Sequence, residues 1–293
     1  MAMALASFLL LLFLHFMAVQ ADGEDAAVGN GGGNGVLASW NGSAGPCSWG
    51  GVACGRHRRV VALSLPGHDL SGTLSPAVGN LTWLRKLDLS YNWLHGGIPA
   101  SLGQLHRLRE LDLSFNTFSG EVLGLDNNSF VGHWPASLAN LTSLQYLSLR
   151  MNSLEGTIPP EFGSNMPSFH ILDVCSNNLS GALPSSLYNL SSLTDFDAGN
   201  NKLNGNIPTD IDEKFPHLRS FAVFNNQFSG EIPSSFTNLT NLTSLQLSEN
   251  GFSGFVPRDL GRLNALQNLQ LGVNMLEAGD IKGWEFVESL TNC

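Results

Sequence analysis

The sequence predicts an α/β solenoid, in which similar coils stack and a parallel β-sheet runs along one side. The first observation is a nine-residue stretch, exemplified by Leu84–Asn92, with leucines at three fixed places and an asparagine at its end. The stretch recurs, mostly at steps of 24 or 25 residues, and a fixed period of this size is typical of stacked units. The second observation is that an apolar residue, a glycine and an apolar–proline pair follow most of the asparagines, as in Leu94–Pro99. The closing asparagines are Asn92, Asn116, Asn152, Asn177, Asn201, Asn226, Asn250 and Asn274.

Each part of the repeat has a physical role. Alternating leucines such as Leu87 and Leu89 point inward from a short strand, and the residues between them point outward. The asparagine amide both donates and accepts, so it can satisfy backbone groups of its own turn and of the next coil. Glycine permits a bend, and proline fixes φ and ends any helix. The leucines therefore determine the fold, and the outward strand positions are free to vary.

The repeated L-x-x-L-x-L-x-x-N and L-x-G-x-I-P patterns resemble the plant-specific class of leucine-rich repeats. The resemblance covers residues 60–276, which would hold about nine to ten repeats. It implies a right-handed superhelix with a parallel concave β-sheet and a convex side of irregular segments, 3-10 helices and short helices. The period breaks once, because Asn116 and Asn128 are only 12 residues apart. We expect a half-repeat deletion near 116–128, at which one strand is skipped or the stack kinks.

The N-terminal residues predict a secretory protein. Residues 1–21 read as a signal peptide, with an apolar run from Leu9 to Leu14 and small residues before a cleavage site. A membrane anchor is the alternative, but the apolar run is too short to span a bilayer. Residues 22–35 are rich in glycine and predict a flexible segment. Eight N-x-S/T sequons agree with secretion, at Asn41, Asn80, Asn127, Asn140, Asn178, Asn189, Asn238 and Asn241.

Residues 36–59 predict an N-terminal cap. In an oxidising compartment Cys47 and Cys54 are expected to form a disulfide. A zinc site is the alternative, but two further ligands at suitable spacing are absent. The basic run Arg56–Arg59 predicts a solvated turn, with a docking patch as the other interpretation.

Composition and motifs argue against several function classes. The net charge is −10, and nucleic-acid binding would favour a basic stripe. No metal-binding or nucleotide-binding motif occurs, so we expect no metal, no cofactor and no enzymatic activity. The recurring strand aspartates Asp88, Asp112, Asp173 and Asp197 form a row on an open sheet, which favours neither a raised pKa nor catalysis. Cys175 is predicted at an outward strand position as an unpaired thiol.

Function is expected on the concave face, where the outward residues depart from Ser, Asn and Asp. Aromatic side chains beside opposite charges suit an extended peptide ligand, with the aromatics as anchors. An ordinary solvated sheet face is the alternative. The predicted ligand-binding residues are Tyr146, Arg150, His170, Asp173, Asp195, Asp197, Arg219, Phe224, Gln246 and Glu249.

The cap, the repeats and the tail Leu276–Cys293 together resemble plant leucine-rich-repeat receptor kinases, in the group that includes immune receptors for flagellin and elongation-factor peptides and the rice blight-resistance receptor. Residues 277–293 predict an irregular, truncated repeat containing a short amphipathic helix, with no C-terminal cap. The resemblance implies a cell-surface receptor ectodomain that binds a peptide or protein ligand and recruits a co-receptor kinase.

No membrane span and no kinase follow in this chain, so the expectation is a receptor fragment or a secreted form that cannot signal alone. Two alternatives stay open. One is a secreted inhibitor of pathogen cell-wall-degrading enzymes, similar to the polygalacturonase-inhibiting proteins. The other is a non-functional gene fragment.

Overall fold

A computed structural model describes residues 34–37, 39–40, 45–118, 133–277 and 284–290. The chain divides into two compact units, Met1–Glu155 and Gly156–Cys293. The predicted signal peptide, most of the glycine-rich segment, and the sequons at Asn41 and Asn127 lie outside the described residues. The strands are short because the leucine pattern has only two or three alternating positions before the asparagine turn.

Nine strands are described in the first unit, and the first eight of them belong to two sheets. Their bounds are β1 (Val52–Cys54), β2 (Val60–Ser64), β3 (Ser71–Thr73), β4 (Lys86–Asp88), β5 (Trp93–Gly96), β6 (Glu110–Asp112), β7 (Thr117–Phe118), β8 (Tyr146–Ser148) and β9 (Glu155–Gly156). The main sheet has the order β1-β2-β4-β6-β8, and it is parallel except for the antiparallel pair β1 and β2. The strands β3, β5 and β7, which follow the asparagines, form a second parallel sheet.

The second unit repeats this arrangement. Its strands are β10 (Ile171–Asp173), β11 (Asn178–Ala182), β12 (Asp195–Asp197), β13 (Lys202–Gly205), β14 (Ser220–Ala222), β15 (Gln227–Glu231), β16 (Ser244–Gln246), β17 (Gly251–Gly254), β18 (Asn268–Gln270) and β19 (Met275–Leu276). The even-numbered strands β10 to β18 pair in parallel in chain order, as do the odd-numbered strands β11 to β19. The predicted solenoid, with its second strand in each coil, is therefore confirmed.

Short helices form the side of the coils opposite the main strands. The α-helices are α1 (Asn34–Leu37), α2 (Ile211–Lys214) and α3 (Glu285–Leu290). The 3-10 helices span Pro46–Ser48, Arg56–Arg58, Pro76–Asn80, Ala100–Gln104, Ala136–Asn140, Ser185–Asn189, Ser234–Asn238 and Arg258–Arg262. Five of them begin directly after a proline, because proline fixes φ and supplies no N–H for a preceding helical turn. The short helix predicted near the C-terminal end is α3, and its Ser289 hydroxyl accepts a hydrogen bond from the N–H of Gly261.

The core lies inside the coils, between the main strands and the short helices. Leu87, Leu89, Leu147 and Leu149 are fully buried, as the alternation predicts. Burial of one leucine contributes about 1.5–3 kcal/mol, so each coil contributes several such increments. In the second unit, phenylalanines replace some leucines and contact one another across coils, as Phe196 and Phe221 do at 5.5 Å between ring centroids.

The closing asparagines join neighbouring coils. The Nδ2 of Asn92 donates to the carbonyls of Leu65, Leu89 and Ser90 at 2.8–3.0 Å. Its Oδ1 accepts from the N–H groups of His68 and Leu70. The other seven closing asparagines also donate to backbone carbonyls. The predicted bonds to the asparagine's own turn are confirmed, whereas the neighbouring coil that it bonds is the preceding one and not the next.

The N-terminal cap closes the first coil with covalent and aromatic contacts. Cys47 and Cys54 form the predicted disulfide. Trp40 and Trp49 stack at 4.9 Å between ring centroids, and both are buried. The indole N–H of Trp40 donates to the carbonyl of Gly50 at 2.9 Å. The cap therefore covers apolar surface that the first coil would otherwise expose.

The predicted break in the period falls on residues 119–132, which are outside the described part of the chain. The strands on either side of it are direct neighbours, because Glu110, Leu111 and Asp112 pair with Tyr146, Leu147 and Ser148. These partners are 36 residues apart in sequence, whereas β4 and β6 are separated by 24. The additional 12 residues therefore lie between two strands that pair as if no break existed.

We predict that Asn92→Ala lowers the free energy of unfolding by about 1–3 kcal/mol for each buried backbone group that loses its partner. Asn204→Ala is the matched control, because Asn204 is an exposed asparagine within β13. Urea unfolding of both variants checks this. Equal midpoints for Asn92→Ala and Asn204→Ala would contradict the role assigned to the asparagine.

Candidate functional site

The ten predicted ligand-binding residues all lie on or beside main strands, and none is fully buried. His170, Arg219 and Glu249 are exposed, and the other seven are half-buried. Tyr146 and Arg150 belong to the first unit, and the remaining eight belong to the second. Their use by a ligand remains a prediction.

The strand aspartates have a local structural role. The Oδ1 of Asp88 and of Asp112 accepts from the N–H and hydroxyl of the serine two residues later. In the second unit, Asp173 accepts from the N–H of Cys175 and Asp197 from that of Gly199, both at 3.0 Å. Aspartate commonly bonds the backbone two residues on, and this stabilises a turn. The recurrence of aspartate therefore reflects the turn at the end of each strand.

Two predicted anchors are partly engaged with the protein itself. The hydroxyl of Tyr146 donates to Oδ2 of Asp112 at 3.4 Å. The ring of Phe224 covers the backbone of Gly199, so closely that a Cβ at Gly199 would collide with it. Both side chains present only part of their surface to a ligand.

The position two residues before each asparagine turns toward the interior in several coils. Ser90, Ser114 and Cys175 are 5%, 4% and 1% exposed at this position. The prediction that Cys175 points outward is therefore wrong. The strand β10 ends at Asp173, so the alternation rule no longer applies two residues later. Arg150 and Phe224 occupy the same position and are half-buried for the same reason.

Several exposed large side chains stand one residue before the asparagine. This residue has a positive φ of 50–58° in eight successive repeats, from Tyr91 to Val273. A left-handed backbone at this position turns the side chain away from the core. In the first unit the position holds Tyr91, which is 58% exposed, then Phe115 and Met151.

We call Tyr91, Phe115 and Met151 the strand-end patch. The rings of Tyr91 and Phe115 stack at 4.0 Å between centroids with an 11° angle between their planes. The backbone N–H of Phe115 donates to the carbonyl of Arg150, and the three residues follow the neighbouring strands β4, β6 and β8. These residues are not among the predicted ligand-binding residues, although Glu249, at the same position, is one of them. The signal that could have found them is the residue type directly before each asparagine.

Two oppositely charged side chains on the neighbouring strands β4 and β6 are paired with each other. Lys86 Nζ lies 2.9 Å from Glu110 Oε2, and both side chains are about half exposed. The hydrogen bond to Glu110 raises the pKa of Lys86 above its ordinary value, against a smaller opposing effect of burial. The amino group is therefore charged at physiological pH.

The remaining predicted features occupy other surfaces. Among the predicted glycosylation sequons, Asn80, Asn140, Asn189 and Asn238 are exposed and end four of the 3-10 helices. Asn241 is also exposed, and Asn178 is half-buried in β11.

Within the described ranges, no cluster of three or more His, Cys, Asp or Glu side chains could hold a metal ion. None of the described helices is long and apolar enough to cross a membrane.

We predict that Gly199→Ala displaces the Phe224 ring and lowers stability by about 1–3 kcal/mol, as overpacking does. Gly272→Ala is the matched control, because Gly272 holds the same place in a later coil and a Cβ there would meet nothing within 4 Å. The two unfolding midpoints give the comparison. If Gly199→Ala is as stable as Gly272→Ala, Phe224 does not pack as described.

Family models match most of the repeat region. A leucine-rich-repeat model matches residues 216–276, and a second one matches 83–105, 107–124, 143–165 and 168–190. The leucine-rich-repeat N-terminal domain matches residues 26–55. Among curated proteins, the LRR receptor-like serine/threonine-protein kinase EFR of Arabidopsis thaliana is 55% identical over 58 residues. That stretch is 20% of this chain and 6% of EFR.

Solved receptor ectodomains have the same fold. The LRR ectodomain of the Arabidopsis thaliana receptor kinase GASSHO1/SCHENGEN3, in complex with CASPARIAN STRIP INTEGRITY FACTOR 2, is 34% identical with a TM-score of 0.72. The similarity covers 92% of this chain and 32% of that one. The Arabidopsis receptor kinase HAESA, in complex with the peptide hormone IDA and the co-receptor SERK1, is 27% identical with a TM-score of 0.54, over 92% of this chain and 54% of that one. The chain therefore belongs to the leucine-rich-repeat proteins, and its repeats are similar to part of the ectodomain of plant receptor kinases.

Proposed function

We propose that this chain is an extracellular recognition module that binds a peptide or protein ligand on the outward faces of its main strands. The strand-end patch supports this proposal most directly. Tyr91 is 58% exposed and stacked on Phe115, and Met151 is 45% exposed on the adjoining strand. Exposed aromatic side chains on a rigid sheet are typical anchors of protein interfaces.

The fold leaves these side chains free for binding. Buried leucines hold each coil, and the asparagine amides join one coil to the next. Neither set of contacts uses the side chain before the asparagine. Binding residues can therefore differ from coil to coil without loss of the fold, which is how repeat proteins form extended recognition surfaces.

The similar ectodomains support both the ligand class and the partner. HAESA was solved with a peptide hormone and with a co-receptor, and GASSHO1/SCHENGEN3 was solved with CASPARIAN STRIP INTEGRITY FACTOR 2. By analogy, this module binds a peptide ligand, and a co-receptor kinase ectodomain is its second partner. The disulfide in the cap supports an oxidising, extracellular location.

The matches to receptor kinases lie within the repeats, which supports a recognition role for this chain. Within the described strands, the row of aspartates is bonded to turn backbone rather than arranged as a reacting pair. We therefore propose a binding role in which signalling depends on other protein segments or partners. Inhibition of cell-wall-degrading enzymes is the alternative function, and the experiment described below also tests it.

The ligand can be identified by photocrosslinking. The secreted chain, with benzoylphenylalanine in place of Tyr91, is incubated with extracellular fluid and crosslinked by light. The crosslinked peptide is identified by mass spectrometry. It is then synthesised and titrated against the unmodified protein. We predict that Tyr91→Ala with Phe115→Ala weakens binding by about 30-fold or more, since hot-spot residues contribute at least about 2 kcal/mol.

Trp284→Ala is the matched control, because Trp284 is also 58% exposed but precedes α3 and lies away from the strand ends. Equal losses in the two variants, or no loss in either, would contradict recognition by the strand-end patch. If no peptide is captured and the chain inhibits a fungal polygalacturonase, the inhibitor function replaces the proposed one.

A further inference from the structure

The first unit carries an unusual concentration of positive charge. Residues 45–118 contain seven of the chain's 14 Lys and Arg residues but only four of its 24 Asp and Glu residues. The whole chain has a net charge of −10, so this distribution does not follow from composition. Arg59, Arg85, Arg107 and Arg109 are all exposed. We call these four arginines, with Trp83, the arginine edge.

Three members of the arginine edge form a stack across consecutive coils. Arg59, Trp83 and Arg107 are spaced by 24 residues, so they hold the same position in three successive coils. The guanidinium carbon of Arg59 lies 3.9 Å from the centroid of the Trp83 ring, and that of Arg107 lies 3.7 Å from it. Each guanidinium presents its face to the indole, so its in-plane N–H groups remain available to an anion.

The other two members stand side by side on neighbouring strands. The backbone N–H of Arg109 donates to the carbonyl of Arg85 at 2.8 Å, which places their side chains in adjacent positions before β6 and β4. Like charges in adjacent positions of a sheet destabilise it. This pair therefore works against the stability of the fold unless a negatively charged group neutralises it.

The nearby carboxylates bond other groups and not the arginines. Glu110 pairs with Lys86, and Asp88 accepts from the hydroxyls of Ser64 and Ser90. Asp112 accepts from Ser114 and Tyr146. Throughout the described ranges, no Asp or Glu side chain forms an ion pair with a member of the arginine edge.

We propose that the arginine edge binds a carboxylate-rich, extended segment of a protein partner. The planar guanidinium fork matches a carboxylate in bidentate geometry. Neighbouring strands lie about 4.8 Å apart, and an extended peptide places side chains of one face about 6.6 Å apart, a difference that long arginine side chains can span. Because both arginines stack on Trp83, its ring is not free for a sugar to stack on, which favours a peptide over an acidic polysaccharide. This surface is distinct from the strand-end patch, so the proposal does not depend on the ligand bound there.

Fluorescence anisotropy with the secreted full chain tests this proposal. The probe is a labelled peptide of alternating Glu and Ser residues, and a Lys–Ser peptide and labelled oligogalacturonate are run in parallel. We expect the Glu–Ser peptide to bind in a salt-sensitive manner and the other two probes to bind more weakly. Arg85→Gln with Arg109→Gln should weaken binding by about 100-fold, or about tenfold for each charged hydrogen-bonding group removed.

Arg258→Gln with Arg262→Gln is the matched control, because it removes two exposed arginines from a 3-10 helix of the second unit. The unfolding midpoint of the Arg85/Arg109 variant should equal or exceed that of the wild type, because a repulsive pair is removed. Equal binding of the Glu–Ser peptide to both double variants would overturn the proposal. So would preferential binding of oligogalacturonate, which would assign the edge to a polysaccharide, or failure of the Glu–Ser peptide to bind.

Discussion

The amide of the closing asparagine is the interaction on which the rest of the structure depends. It donates to carbonyls of two coils and accepts from backbone N–H groups of the preceding coil, so one side chain both closes a turn and joins neighbours. To place this amide inward, the preceding residue adopts a positive φ, which costs about 1–2 kcal/mol for a residue other than glycine. The asparagine bonds offset that cost. They also explain why the preceding side chain always points to solvent.

The fold was predictable because its determinants repeat. Three determinants occur at fixed offsets from the asparagine: the buried leucines, the glycine of the bend and the proline before the short helix. The glycine of the bend has a positive φ, which is 70° at Gly96. The positions of candidate binding residues were less predictable. Strand alternation describes only about three residues per coil, and it fails where the chain begins to turn. Cys175 is buried for that reason, and Arg150 and Phe224 are half-buried.

Recurrence along the repeats identified structure better than it identified function. Aspartate recurs on the strands because its carboxylate bonds the turn two residues later, as Asp197 does with Gly199. The side chains with the strongest claim to a binding role instead break the pattern. Tyr91 occupies a position that holds Ser176 and Asn200 in other coils. Since small polar residues suffice there, the fold does not require an aromatic ring at this position.

The same distinction applies to charge. Carboxylates of the first unit have partners within the fold: Glu110 pairs with Lys86, and Asp88 bonds two serines. The arginines beside them form no ion pair with a carboxylate in the described residues, and Arg85 and Arg109 occupy adjacent positions before neighbouring strands. A stack of identical coils places any repeated residue type next to itself, so a repeated charge produces repulsion that the fold does not relieve. An arginine row retained under that penalty is best explained by an anionic partner outside the chain, because only such a partner turns the repulsion into binding energy.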